Sequence, residues 1–251
     1  MHKKVIAFDL DGTLAESKMS IDAEMAELLI TLLEKKIVAV IGGATLELFE
    51  KQFLSSLSHR KDLFTNLLLL PTSGAAFCVF ENDEWKMVHQ DILSPEEREK
   101  VKQSIMQALK DINFTIPEKL YGPIIEDRGT EVTFSPLGME TPLDIKQEWH
   151  ANHDIRKPLI EALANYIPEF EVRLGGLTSL DITKRGINKA HGIEQIVERL
   201  SVTIDEITYV GDALYEDGND AAVIPTGVET TQVASPEETK QLIRNILATV
   251  A

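Results

Sequence analysis

Cys78 is the only cysteine in 251 residues, which excludes a disulfide framework and a cysteine-built metal site. It reads as a small core side chain. Long apolar runs are also missing: IVAVIGGA and LLLLPTSGAAFCVF fall well short of the roughly 20 residues that cross a bilayer. The opening MHKKVIAFD carries no long apolar stretch of the secretory type. Positive charge is scarce, with 25 Lys and Arg against 41 Asp and Glu and a formal net charge of -16. Such a field repels nucleic acid and anionic membrane, and an anionic substrate then needs local positive charge or a metal. There is no internal repeat and no low-complexity segment. These absences predict a cytoplasmic globular protein with neither nucleic acid nor membrane as a partner.

What is present begins with VIAFDLDGTLAES, where the apolar run Val5 to Phe8 ends abruptly in Asp9 and then Asp11. That run reads as a buried strand. Ile21 to Lys35 reads as a helix with Ile21, Met25, Leu28, Leu29, Leu32 and Leu33 on one face and Ser20 as its cap. IVAVIGG is a second buried strand, Thr45 to Leu57 a helix, and LLLLP a third strand. This alternation predicts an α/β fold, a Rossmann-like parallel-sheet core. After Phe80 the texture changes. FCVFENDEWKMVHQ suggests two strands about Asn82–Asp83, Pro95 to Lys110 a charged helix, and EVTFSP and FEVRLGGLTSLDIT antiparallel strands. Pro158 to Tyr166 reads as a further helix. From Asn188 the first texture returns, with a helix over 189–200, the strand EITYVG and a helix from Pro236 capped by Ser235. The expected domains are a catalytic core over 1–80 and 185–251 and a smaller inserted α+β cap over 81–184.

Three strand ends carry informative residues. The first has Asp9 and Asp11, the second Gly42 and Gly43, and EITYVG has Gly211 and Asp212, followed by Asp217, Asn219 and Asp220. Several carboxylates converging on one spot do not all stay ionised without a cation. A hard divalent ion, Mg²⁺, meets that need, and glycine-rich strand ends let backbone amides approach a phosphate. Asp217 reads as a solvent-exposed residue, and His150 and His153 as surface histidines.

DLDGTL (Asp9–Leu14), GINKAHGI with Lys189, and VGDALYEDGND resemble, in order, the first, third and fourth motifs of the haloacid dehalogenase superfamily. SPLG, GGLTSLD and GINK are similar to the pattern of its eukaryotic-type phosphomannomutase branch, and the spacing also suits related sugar-phosphate phosphatases. The resemblance implies that Asp9 is the nucleophile and Asp11 the general acid and base, with Lys189 stabilising charge. It implies Mg²⁺ held by Asp9, Asp11 (through its carbonyl) and Asp212, with Asn219 and Asp220 behind them. Gly42, Gly43, Thr45 and Lys189 would hold phosphate, and Arg128, Ser179 and Asp181 in the cap would contact a phosphorylated sugar. A cap-mediated homodimer is a further implication.

Two departures bear on the reaction. Met139 follows SPLG where the mutases have a phosphate-gripping arginine, and GGA followed by Thr45 replaces their GGS. The expectation is therefore a Mg²⁺-dependent phosphohydrolase of a phosphorylated sugar, working through an aspartyl-phosphate. The alternative is a phosphohexomutase that returns the phosphoryl group to a sugar hydroxyl. A distant third is a phospho-acceptor signalling module, which also uses clustered Asp, Thr, Lys and Mg²⁺.

Overall fold

The computed structural model describes residues 3–17, 19–216 and 218–249. The chain folds as two compact units, Met1–Gln90 with Asn188–Ala251, and Asp91–Ile187.

The first unit is built on a seven-stranded sheet in the order β11-β10-β1-β2-β3-β4-β5. Its strands are β1 (Val5–Phe8), β2 (Ile37–Ile41), β3 (Leu67–Leu70), β4 (Ala76–Glu81), β5 (Glu84–Gln90), β10 (Ile207–Gly211) and β11 (Glu229–Gln232). The five from β11 to β3 run parallel; β4 and β5 are antiparallel. Alternate residues of the apolar runs go to opposite faces, as the pleat demands. Ile6, Phe8, Val38 and Val40 join one cluster with Met25, Leu29, Leu32 and Ile243, from α1 (Ala23–Leu33) and α8 (Pro236–Thr249). Val5, Ala7, Ala39 and Ile41 join the other with Ile193 and Ile196 of α7 (Lys189–Leu200). Both faces are covered, which is why these strands read as unbroken apolar runs.

Local details differ from expectation in four places. Asp22, not Ser20, caps α1, its side chain accepting from the Met25 amide at 2.8 Å. The stretch 46–57 is α2 (Leu46–Phe49), a π turn (Glu50–Leu54) and α3 (Ser55–Leu57). The hairpin β4–β5, turned by Asn82 and Asp83 at positive φ, extends the large sheet, so the first unit runs ten residues past the boundary expected at Phe80. Packing is the reason: Phe80 and Trp85 close an aromatic cluster with Phe64, with ring centroids 5.2–5.7 Å apart. The second boundary falls at Ile187 rather than 184.

The second unit has a four-stranded antiparallel sheet, β6-β7-β9-β8. These are β6 (Ile125–Asp127), β7 (Val132–Phe134), β8 (Phe170–Leu174) and β9 (Leu180–Lys184). One face packs on α4 (Pro95–Asp111) and α6 (Arg156–Leu163), burying Val101, Ile105, Leu159, Leu163, Phe134 and Ile182 in its own core. Ser94 and Glu97 start α4 with a reciprocal capping box. An additional helix, α5 (Leu143–His153), carries both His150 and His153. His150 Nδ1 meets Arg156 at 2.9 Å, and His153 stacks on Trp149.

Candidate active site

β1 and β10 are neighbours, in the register Phe8↔Val210, so Asp9 and Asp212 leave adjacent strand ends. The Asp9 amide donates to the Val210 carbonyl at 2.9 Å and holds those ends together. β1 is also where the strand order reverses, with β2 and β3 on one side and β10 and β11 on the other. Ligands of open parallel sheets bind at the carboxyl ends beside such a switch point.

Lys189 opens α7 next to this point. Asn188 caps the helix, its side chain accepting from the Ala190 and His191 amides. Gly192 lies against Leu70 and Ile41, where a Cβ would come within 3.1 Å of Leu70. The close approach brings Lys189 to full burial, with its Nζ donating to Asp9 Oδ1 at 2.6 Å and to Asp220 Oδ1 at 2.5 Å. Asp220 is fully buried and also accepts from the Tyr209 hydroxyl and, through Oδ2, from the Ala213 amide at 2.9 Å.

Asp9, Asp212 and Asp220 each offer a carboxylate oxygen within 4.8 Å of the others. Asp9 is pushed up to about 7, chiefly by burial, with Lys189 pulling it down and Asp220 and Asp212 adding to the rise. Burial and Asp220 also raise Asp212. Burial would raise Asp220 too, but Lys189 and the donors on it hold it below the usual carboxylate range. Burial lowers Lys189, yet Asp9 and Asp220 outweigh that and keep it charged. One ammonium thus compensates one of three clustered carboxylates, of which Asp9 and Asp220 are buried and Asp212 half-buried. The two charges left over, on an all-oxygen donor set, fit a hard divalent cation.

The turn after β1 is shaped around Asp212. Gly12 has φ +87°, and a Cβ there would lie 2.6 Å from Asp212 Oδ2. The Gly12 amide donates to the Ala15 carbonyl at 2.7 Å, and Thr13 Oγ1 donates to Asp212 Oδ1 at 3.4 Å. Asp11 lies half-buried in this turn, bridged to Ala15.

At the second motif one expectation needs correction. The Gly42 amide donates to the Leu70 carbonyl at 3.2 Å, so the sheet occupies the group that was expected to meet phosphate. Gly42 is small for another reason: a Cβ would sit 3.3 Å from both Leu10 and Phe49. Gly43 is half-buried, and Ser73 Oγ lies 3.8 Å from the Cβ it lacks. Thr45 stands before α2 without using its hydroxyl as a cap.

The structure brings Asp9, Asp212, Asp220 and Lys189 together. Sequence reading does not single out two residues that the structure places beside these: Tyr209, which looks like any core residue of EITYVG and donates to Asp220, and Ser73, which sits in a PTSG turn at φ 56° next to Gly43. Asn219 is exposed, and Asp217 lies outside the described residues. Arg128, Ser179 and Asp181 belong to the second unit. Arg128 is in the β6–β7 turn, Ser179 precedes β9, and Asp181 on β9 accepts from Thr133 at 3.0 Å.

A family profile described as eukaryotic phosphomannomutase matches residues 25–249. A probable phosphomannomutase of Caenorhabditis elegans is 24% identical over 255 residues, covering 98% of this chain and 96% of the relative. Among solved structures, an N-terminally truncated, IMP-bound IMP-nucleotidase of Plasmodium falciparum matches with TM-score 0.69 at 17% identity, covering 98% of this chain and 68% of the other. A haloacid dehalogenase-like hydrolase from Bacteroides thetaiotaomicron matches with TM-score 0.62 at 15% identity, covering 97% and 99%. The two structural likenesses speak for the fold, and the profile for the family. With the three motifs in order along this fold, the chain belongs to the eukaryotic phosphomannomutase family of the haloacid dehalogenase superfamily.

Proposed function

We propose that this chain is a Mg²⁺-dependent phosphohydrolase of a phosphorylated sugar, working through an aspartyl-phosphate on Asp9. Its family makes it an enzyme of the phosphatase and phosphotransferase type, and the signalling alternative is set aside on that ground. The observation that carries the reading is the buried relay Asp9–Lys189–Asp220 beside Asp212.

In the proposed first step an Asp9 carboxylate oxygen attacks phosphorus, the ester P–O bond breaks, and Asp11 gives its proton to the leaving alkoxide. In the second, Asp11 takes a proton from water, whose oxygen attacks phosphorus and frees Asp9 and inorganic phosphate. Lys189 offsets charge on Asp9 and on the phosphoryl oxygens throughout. Asp220 and Tyr209 keep Lys189 in place. Asp9, Asp212 and the Asp11 carbonyl would hold Mg²⁺, which when bound neutralises charge on the transferring group. Gly43, Thr45 and the Ser73 hydroxyl are the proposed phosphate contacts.

The second reading is a phosphohexomutase, favoured by relatives that carry the phosphomannomutase name. Met139 weighs against it, because a bisphosphate intermediate must be gripped at both ends. The same proposal carries a cytoplasmic setting and a homodimer through the second unit; light scattering tests the dimer. The deciding assay measures phosphate release with Mg²⁺ across hexose and pentose phosphates. In parallel, mannose and glucose 1-phosphates are followed for conversion to 6-phosphates with catalytic 1,6-bisphosphate. Release without isomerisation supports the hydrolase; isomerisation with little release overturns it in favour of the mutase.

A further inference from the structure

Two parts of the first unit, the loop after β2 and the helix that carries Lys189, are far apart in sequence. The turn Thr72–Gly74, directly after β3, touches both. Its three residues all have positive φ, at 49°, 56° and 93°. Two of them carry side chains and Thr72 is β-branched, so the left-handed conformation is costly at both. Strain of this kind persists only where the surroundings fix it.

The surroundings here are those two parts. On one side the Thr72 amide donates to the Ala44 carbonyl at 3.0 Å and the Ser73 amide to the Gly42 carbonyl at 2.8 Å. On the other side Gly74 rests on the first turn of α7. A Cβ there would lie 2.9 Å from both the Asn188 carbonyl oxygen and the Gly192 nitrogen, the two atoms that make a hydrogen bond at the start of the helix. Gln195, 4% exposed, reaches back to the same turn, its Nε2 donating to the Gly74 carbonyl at 3.1 Å. Its Oε1 accepts from Arg199 Nε at 3.3 Å, and the Arg199 guanidinium lies 5.2 Å from the centre of the Phe77 ring.

Much of the remaining contact of α7 with the sheet is apolar, Ile193 and Ile196 packing in one cluster with Ile41 and Leu70. Such burial holds the helix down but has no direction, whereas a hydrogen bond fixes distance and angle. Lys189 needs that precision, because its Nζ must lie 2.6 Å from Asp9 and 2.5 Å from Asp220 at once. A misplacement of about 1 Å in a reacting constellation costs about 10²-fold.

We propose that the Thr72–Gly74 turn braces α7 against the loop after β2, and that Gln195 is a positioning residue acting through Lys189. Gln195 and Gly192 are neighbours along the helix surface, as are Gly192 and Lys189, so a hold on Gln195 and Gly192 is a hold on the first turn. The kinetic consequence rests on the hydrolase reading above; the placement of Lys189 does not.

The test reads Lys189 directly. In a ¹H–¹⁵N spectrum of the lysine side-chain ammonium groups, the Lys189 signal is the one missing from Lys189→Met. Gln195→Leu removes both hydrogen bonds at similar volume, and its Lys189 signal is expected to shift or broaden. For p-nitrophenyl phosphate with Mg²⁺, kcat should fall about tenfold with KM within about twofold of native, a smaller loss than a full ångström of misplacement brings. If Gln195→Leu does not fold, Gln195→Asn serves, since it keeps a buried amide and draws it back from Gly74 by one methylene. A merely structural Gln195 lowers the melting temperature and leaves the Lys189 signal in place. That result, or a native kcat in a folded variant, overturns the inference. If the native chain releases phosphate from no monoester, the hydrolase reading fails instead, and the Lys189 signal alone decides the inference.

Discussion

Lys189 Nζ lies 2.6 Å from Asp9 Oδ1, two side chains separated by 180 positions and both withdrawn from solvent. Neither charge would persist there by itself: a lone buried ammonium or carboxylate gives up its charge. The pair turns an unfavourable placement into a nucleophile with a fixed partner, and Asp220 on the far side of Lys189 completes the arrangement.

Asp9→Asn removes the attacking oxygen while preserving shape. Turnover is expected to fall by about 10³-fold or more, as for other nucleophile deletions. Rapid-quench trapping should show no acid-stable, base-labile phosphoprotein. A native rate of release from this variant sinks the nucleophile assignment.

Asp212→Asn takes one donor from the proposed cation set and should raise the half-saturating Mg²⁺ concentration by at least about tenfold. Gly12→Ala should act in the same direction from the other side, because its Cβ is aimed at Asp212 Oδ2 and its backbone is at φ +87°. Metal titrations of activity read both. If neither titration moves, Asp212 is not a ligand.

Tyr209→Phe deletes one donor to Asp220 and leaves a buried acceptor short, a loss of about 1–3 kcal/mol in stability. Asp220, which holds Lys189, is then fixed by one donor fewer, so kcat should drop several-fold with KM little changed. A purely packing role for Tyr209 predicts the melting shift with kcat intact, and parallel kinetics and thermal melts separate the two.

Glu131 sets a pH dependence of stability in the second unit. Its carboxyl titrates near 4.5 when unfolded and is pushed up to about 8 by burial, with Asp181 adding to the rise and Arg128 opposing it. Between those values the folded chain holds a proton that the unfolded chain has released, so this group's contribution is full below about 4.5 and is lost as pH climbs to about 8. Glu131→Gln removes the penalty of ionisation. Its melting temperature relative to the native chain should therefore rise from pH 5 to pH 8. Parallel curves for the two proteins over that range would contradict the assignment.

Much of this was legible in one dimension. The strands that would lie buried in a parallel sheet announced themselves as apolar runs, because both their faces are covered. Asp9, Asp212 and Lys189 stood out because charged residues directly follow such runs or open the helix between them, and motif order tied them together. The π turn at Glu50–Leu54, helix α5 and strand β11 carried no such signal. Only Lys146 of α5 is buried, and β11 reads ETTQ, with no apolar face for periodicity to reveal.

What folding decided were the partnerships of polar groups. The sequence specified that Gly42 ends a strand, but only the sheet showed its amide spent on Leu70. It specified an aspartate at 181, but only the β7–β9 register brought the Thr133 hydroxyl onto it. It placed Tyr209 in a strand, but only the packing of α7 on the sheet set Lys189 and Tyr209 against the same oxygen of Asp220. Apolar burial follows a residue's own chemistry and leaves a periodic trace along the chain. A hydrogen bond depends on which two atoms, distant in sequence, come within about 3 Å, and no local pattern encodes that.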